Sequence, residues 1–390
     1  MRKTICLLII SLTMLPRFLC AQNGRSNLDS LVKKLGEQFM TDKQAVGLSV
    51  GVYTNGAGHY YNFGTTKKDK ISLPTQNTVY EIGSITKTVV SLILANAVLE
   101  HKVKLEDDIR KYLEESYPNL EYNGNPVKLV HLANTTSLLP DWLPGLPTAI
   151  KTLPPDSALD LKISFYNKLT SKDFFKALHT VKPDTIPGTK RYHSNAGAQL
   201  LAYILERVYH MPMEELIKKY VTRPYEMNRT SFIGSKKPKQ TAVGYTGSGK
   251  EAAYESVMPY FKNAGGLGST VHDLVNYAKL FLDSNNRAAM LCLKKTVDID
   301  AATGLIVNMR PDNVASPDVY SAALNWFKYQ PGVTSAQVWA DGGTNGFNSY
   351  LVIYPFLNSA VVLLANKSDE KIFRALPGIA HEISKAIEQK

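Results

Sequence analysis

The stretch from Ser84 to Leu99 constrains this chain more than any other. Val89, Val90, Leu92, Ile93, Leu94, Val98 and Leu99 put apolar side chains nearly all round a helix. A helix without a polar face is a central, buried one, so other elements must cover it. Those elements can be read on either side. Leu28 to Phe39 has helical spacing, and Gly47 to Phe63 alternates apolar and small residues around Asn55-Gly56, a hairpin signal. Late in the chain, Ala322 to Tyr329, Ala336 to Ala340, Ser349 to Tyr354 and Ala360 to Ala365 read as strands, and Ile372 to Gln389 closes as an amphipathic helix. Between lie mostly helical segments from Leu105 to Tyr220, interrupted by Pro-rich stretches at 140 to 155 and 183 to 187, with one helix over Asn195 to Tyr209. The expected fold is α/β (α+β): one antiparallel sheet formed by both termini and flanked by helices, with an inserted mostly helical region. The sheet part is expected at about 26–80 and 320–390, the helical part at about 85–315.

With 390 residues, 44% of them hydrophobic and 20% charged, the chain can bury such a core, which excludes disorder and a polytopic membrane protein. Lysine and arginine (45) exceed aspartate and glutamate (34), but the excess is spread out. The nearest basic run, Lys236, Lys237 and Lys239, reads as solvated surface, so a small molecule or peptide is the expected partner and nucleic acid is not. Residues 1–21 read as a signal peptide: Arg2 and Lys3 start it, Ile5 to Leu15 is apolar, and Ala21 precedes Gln22. The apolar stretch is too short to span a bilayer. Periplasmic or secreted location is the expectation, with lipid anchoring through Cys20 the alternative, for which Arg17-Phe18-Leu19 is a poor context. The mature domain would run over 22–390. Loss of the signal removes Cys6 and Cys20, leaving Cys292 in an apolar run as a small buried hydrophobe. The eight histidines show no ligand spacing, so no metal site is expected.

Chemistry concentrates at Ser84-Ile85-Thr86-Lys87. The spacing puts a hydroxyl and an amine on one helix face, with the serine at the helix start. Burial opposes charge on an amine, so Lys87 could act as a neutral base toward Ser84, while the helix N-terminus favours negative charge forming there. The same pattern recurs at Ser30 to Lys33 and Ser368 to Lys371, but only the copy at 84 follows a glycine and opens a long apolar helix. Gly244 to Lys250 matches the start of a phosphate loop. Glu251 replaces its magnesium-binding hydroxyl and no apolar strand precedes it, so nucleotide binding is not expected.

Tyr80-Glu81-Ile82-Gly83-Ser84-Ile85-Thr86-Lys87-Thr88 resembles the nucleophile segment of the serine β-lactamase and penicillin-binding protein superfamily, and of class C β-lactamases and their esterase and peptidase relatives in particular. The resemblance continues, in order, through Val127 to Pro140, Pro187-Gly188-Thr189, His193-Ser194-Asn195, Met227 to Phe232, Asn263 to Leu282 and Gly342 to Tyr350. It implies a serine hydrolase forming an acyl-enzyme on Ser84, without metal or organic cofactor. The family's Tyr-x-Asn motif aligns with His193-Ser194-Asn195, so either His193 or the preceding Tyr192 fills the tyrosine's place; an imidazole is a competent acid and base near neutral pH, which favours His193. The third motif, Lys-Thr-Gly or His-x-Gly, aligns with Ala340-Asp341-Gly342 and lacks its cation, which puts recognition of a substrate carboxylate in doubt. The oxyanion hole that the resemblance implies, from the backbone N–H groups of Ser84 and Gly343, needs no particular side chain. Esterase, amidase, β-lactamase-like and D-peptidase activities all fit. A catalytically silent ligand-binding relative is the alternative.

Overall fold

Strands buried on both faces must be covered from both sides, and that requirement organises the chain. The structure, a computed structural model, describes residues 15–234, 238, 240–254, 258, 262–300, 319–329 and 336–389. The start of the expected signal segment, residues 1–14, and the lysines at 236, 237 and 239 lie outside them.

Helix α1 (Leu15–Asp42) contains the predicted Leu28 to Phe39 helix and leads into strands β1 (Gly47–Thr54) and β2 (Ala57–Gly64). Asn55 (φ +51) and Gly56 (φ +77) both take left-handed backbone, the geometry a two-residue hairpin needs. Helix α2 (Ile85–Leu99) is the predicted central helix, and α3 (Asn195–Tyr209) matches its prediction end to end. Helix α4 spans Val271–Leu280. The remaining strands of the large sheet are β3 (Val297–Asp300), β4 (Val319–Ala322), β5 (Phe327–Tyr329), β6 (Gln337–Gly343), β7 (Asn348–Tyr354) and β8 (Ser359–Ala365), before α5 (Glu370–Glu388) closes the chain.

These eight strands form one antiparallel sheet in the order β2-β1-β8-β7-β6-β5-β4-β3, so the first hairpin docks on the last strand, as expected of a sheet built from both termini. Two expectations need correction. β3 lies in the stretch read as helical, where Val297 to Asp300 is too short a run to show a strand by its spacing. Ala322 to Tyr329 is not one strand: the chain reverses at Asn325 (φ +57), pairing Ala322 with Phe327 across β4 and β5.

The strand period of two sorts the core. Along β8, Ala360, Val362 and Leu364 join the cluster of α2 and α4, while Val361, Leu363 and Ala365 join that of α1 and α5. Within α2 the buried set runs unbroken from Ile85 to Ala95. Each fully buried Leu, Ile or Val contributes about 1.5–3 kcal/mol. Cys292 is buried beside the Ser91 carbonyl, and burial pushes its thiol up, away from the reactive thiolate.

Candidate active site

The site begins where α2 begins. Tyr80–Glu81 pairs with Leu267–Ser269, and the Ile82 N–H donates to the Leu267 carbonyl at 3.0 Å, which fixes the chain entering the helix. Gly83 then turns at φ +51, and a Cβ there would stand 2.7 Å from the Gly343 nitrogen. A Cβ on Gly342 would run into the Ile82 carbonyl. Two glycines thus let the α2 entrance lie directly against β6. Gly83→Ala adds about 1–2 kcal/mol of left-handed strain to this clash. The expected result is a clearly lower unfolding temperature with loss of probe acylation, checked by thermal denaturation and mass spectrometry.

A serine at a helix start ordinarily caps it. Ser84 does not: its side chain makes no cap hydrogen bond. Its Oγ lies 2.8 Å from Lys87 Nζ instead. The Ser84 N–H has no protein acceptor among the described residues. Lys87 is only 4% exposed, and its Nζ also donates to Asn195 Oδ1 (2.8 Å) and to the Ala264 carbonyl (2.7 Å). These acceptors come from far along the chain. Asn195 is the first residue of α3, whose N-terminus is capped by Ser194 Oγ accepting from the Gly197 N–H at 2.8 Å. Ala264 lies in the short helical turn Lys262–Gly265 that leads into the small strand anchoring Ile82.

Asp141, which the sequence reading did not single out, joins the second motif together. Its Oδ1 accepts from the Asn195 N–H (3.1 Å) and the Asn195 Nδ2 (2.9 Å), and lies 2.9 Å from His193 Nδ1. The Ala196 N–H donates to the Asp141 carbonyl at 2.9 Å, and Ser194 Oγ to that of Pro140 at 2.8 Å. Burial raises the Asp141 carboxyl, but the hydrogen bond and charge of His193, the Asn195 N–H and the Lys87 charge outweigh it and hold the group below its ordinary value. Its only signal in sequence is its place directly after the Val127 to Pro140 segment.

An open cleft of about 880 Å³ joins Ser84, Lys87, Asp141, His193, Asn195 and Gly343. Tyr192 is 49% exposed and does not line it. Ala340 is buried, and no cation takes its place on β6. Asp341 lines the cleft beside it, its carboxyl raised by burial against the opposing charges of Arg191, His193 and Lys87 and a hydrogen bond from Trp339. Arg191 brings a cation from the α3 approach, but it is engaged: Nε donates to Thr135 Oγ1 (3.2 Å), Nη1 to the Tyr320 hydroxyl (3.1 Å), and the guanidinium stacks 4.5 Å from the Phe327 ring centroid.

The other serine-lysine pairs build no such site. Ser30 and Lys33 lie on α1, where Lys33 is 4.0 Å from Glu37. Ser368 lines the cleft just ahead of α5, with no hydrogen bond between its hydroxyl and Lys371 among the described residues. Gly244 to Lys250 closes a turn through the Thr246 N–H and the Lys250 carbonyl at 2.8 Å and leads to a bridge at Glu251 rather than a helix.

Comparison with known proteins agrees with this architecture. The Beta-lactamase family model matches residues 32–383. A β-lactamase of Pseudomonas fluorescens is 27% identical over 391 residues, spanning 95% of this chain and 100% of that protein. A D-alanyl-D-alanine-carboxypeptidase/endopeptidase AmpH of Escherichia coli (strain K12) is 24% identical, spanning 87% and 84%. Among solved structures, a β-lactamase/D-alanine carboxypeptidase from Yersinia pestis complexed with citrate superposes with a TM-score of 0.74 at 24% identity, covering 92% of this chain and 98% of that one. A class C β-lactamase gives 0.71 at 21% identity, covering 92% and 96%. With the family model matching from residue 32 to residue 383 and the same fold in both structures, the chain belongs to the Beta-lactamase family and is a serine hydrolase of the acyl-enzyme type.

Proposed function

We propose that the protein is exported and hydrolyses an ester or amide bond in a small molecule or peptide, with Ser84 as nucleophile and Lys87 as its base. The carrying observation is the surroundings of Lys87 Nζ. A neutral amine has two N–H bonds and one lone pair. The Ala264 carbonyl only accepts, and so does Asn195 Oδ1, whose amide is oriented by Nδ2 donating to Asp141. In the neutral form of Lys87 these two acceptors can take both N–H bonds, and the lone pair can then receive the proton of the Ser84 hydroxyl 2.8 Å away. On attack the proton passes from Oγ to Nζ, and the N–H groups of Ser84 and Gly343 receive the charge forming on the carbonyl oxygen. The leaving group departs with a proton, water adds its hydroxyl to the acyl carbon, and Oγ regains its hydrogen. His193 is the cleft group suited to moving the proton to the leaving group or from that water. Export rests on the basic start at Arg2 and Lys3 and the apolar run to Leu15.

An active-site-directed acylating probe tests the reading. A single adduct mapped to Ser84 is expected, whereas folded protein that takes no label would make the chain a silent binder. The substrate class follows from β6. Ala340 offers no cation and Asp341 adds a carboxylate, while Arg191 is held by Thr135, Tyr320 and Phe327. A charge-assisted hydrogen bond is worth about 1.5–3 kcal/mol, so short neutral acyl esters should exceed penicillins in kcat/KM by about tenfold or more. Efficient penicillin turnover by the unmodified protein contradicts this.

A further inference from the structure

We propose that Asp141 is a positioning residue for this reaction: its carboxylate holds His193 in the Nδ1–H tautomer, leaving Nε2 to exchange protons in the cleft, and turns the Asn195 amide toward Lys87. The inference rests on the reading of Ser84 and Lys87 given above and adds a member that none of the three sequence motifs contains.

One oxygen carries the argument. Asp141 Oδ1 lies within 3.1 Å of three nitrogens: His193 Nδ1, the Asn195 backbone N and Asn195 Nδ2. An ionised carboxylate can only accept, so the hydrogen of a neutral His193 ring belongs on Nδ1. His193 Nε2 has no protein partner among the described residues, and the ring lines the cleft with Ser84 and Lys87. The same carboxylate takes Asn195 Nδ2, which leaves Oδ1 for Lys87 Nζ. One side chain thereby sets the proton positions on both titrating groups beside the nucleophile. Its attachment to the first residue of α3, and the Ala196 N–H bound to its own carbonyl, keep it in register with that helix.

Charged groups from several elements line the cleft with His193. Asp341 faces it from β6, Lys87 from α2 and Arg191 from its own segment. Tyr166 stands near Asp141, which together with burial raises the phenol. Of these groups Asp141 alone is in hydrogen-bond contact with the imidazole, so its removal should act on the imidazole most directly.

The test compares pH profiles of turnover. His193→Phe identifies the inflection that belongs to the imidazole. In Asp141→Asn the adjacent negative charge is gone, the imidazolium is less favoured, and that inflection should move to lower pH. kcat should fall by roughly 10²-fold with KM little changed. A folded Asp141→Asn protein with a lower unfolding temperature but an unmoved inflection would mean that Asp141 only staples the α3 start, and the proposal is overturned. If the variant does not fold, ¹⁵N NMR of the histidine-labelled parent decides, with His193 assigned by its loss in His193→Phe. A neutral ring protonated at Nδ1 supports the proposal, and one protonated at Nε2 overturns it. Failure of Ser84 to label would instead remove the hydrolase reading, while the tautomer measurement still scores Asp141.

Discussion

Ser84→Ala abolishes covalent labelling and lowers turnover by on the order of 10⁴- to 10⁶-fold. Among the described residues no other hydroxyl has its combination of neighbours: a left-handed glycine before it, a helix starting after it, a buried amine 2.8 Å from Oγ and a backbone N–H of its own without a protein acceptor. Neither of the other serine-lysine pairs has this set of contacts: among the described residues only Ser84 has a hydrogen bond between its hydroxyl and the amine three residues on. The alanine variant should unfold near the parent temperature. Ser84 Oγ makes no cap, so its loss removes one hydrogen bond to Lys87 and no helix-terminating contact. Intact-protein mass after probe treatment, with steady-state turnover and thermal unfolding on the same preparation, checks this. Full turnover by the variant ends the mechanism.

Lys87→Met is the second large effect. The side chain is nearly fully buried among α2, α3 and the Ala264 segment, and methionine fills a similar volume without an amine. Removing the amine leaves Asn195 Oδ1 and the Ala264 carbonyl without that donor, a cost of about 1–3 kcal/mol per buried acceptor left unpaired. A lower unfolding temperature is therefore expected along with the loss of the base. A general base contributes about 10²- to 10⁴-fold, so single-turnover acylation of Ser84 should slow by that factor at every neutral pH. A variant that acylates at the parent rate places the base elsewhere. The two predictions separate cleanly, since Ser84→Ala removes the acyl acceptor whereas Lys87→Met leaves a serine that a reactive probe can still label slowly.

Features whose cause lies within a few residues were legible in the sequence. The Asn55-Gly56 hairpin follows from two residues that tolerate left-handed backbone, and α2 from an apolar run on all faces. α3 follows from its spacing, and β7 and β8 from short apolar runs bounded by turn residues. Misreadings came where the local signal was weak or masked. β3 is four residues long, and the reversal at Asn325 hides between Leu324 and Trp326, two buried apolar residues that look like strand. Asn325 turns inward there, its Nδ2 donating to Ser91 Oγ at 2.8 Å, a contact with a helix more than two hundred residues earlier.

The Ser84-to-Lys87 helix start, the individual strands near both termini and the missing cation at residue 340 are each written in neighbouring residues. The surroundings of Lys87 come from long-range packing. Its partners Asn195 and Ala264 stand 108 and 177 residues away, and one of them is a backbone carbonyl that any residue type supplies. Tertiary packing also put His193 rather than Tyr192 in the cleft lining, and bound Asp141 to His193 and Asn195 across more than fifty residues. The physical reason is that periodicity and turn chemistry act over one or two turns of chain. Hydrogen-bond partners for a buried charge are instead whatever oxygens and nitrogens the closed core brings within 3 Å.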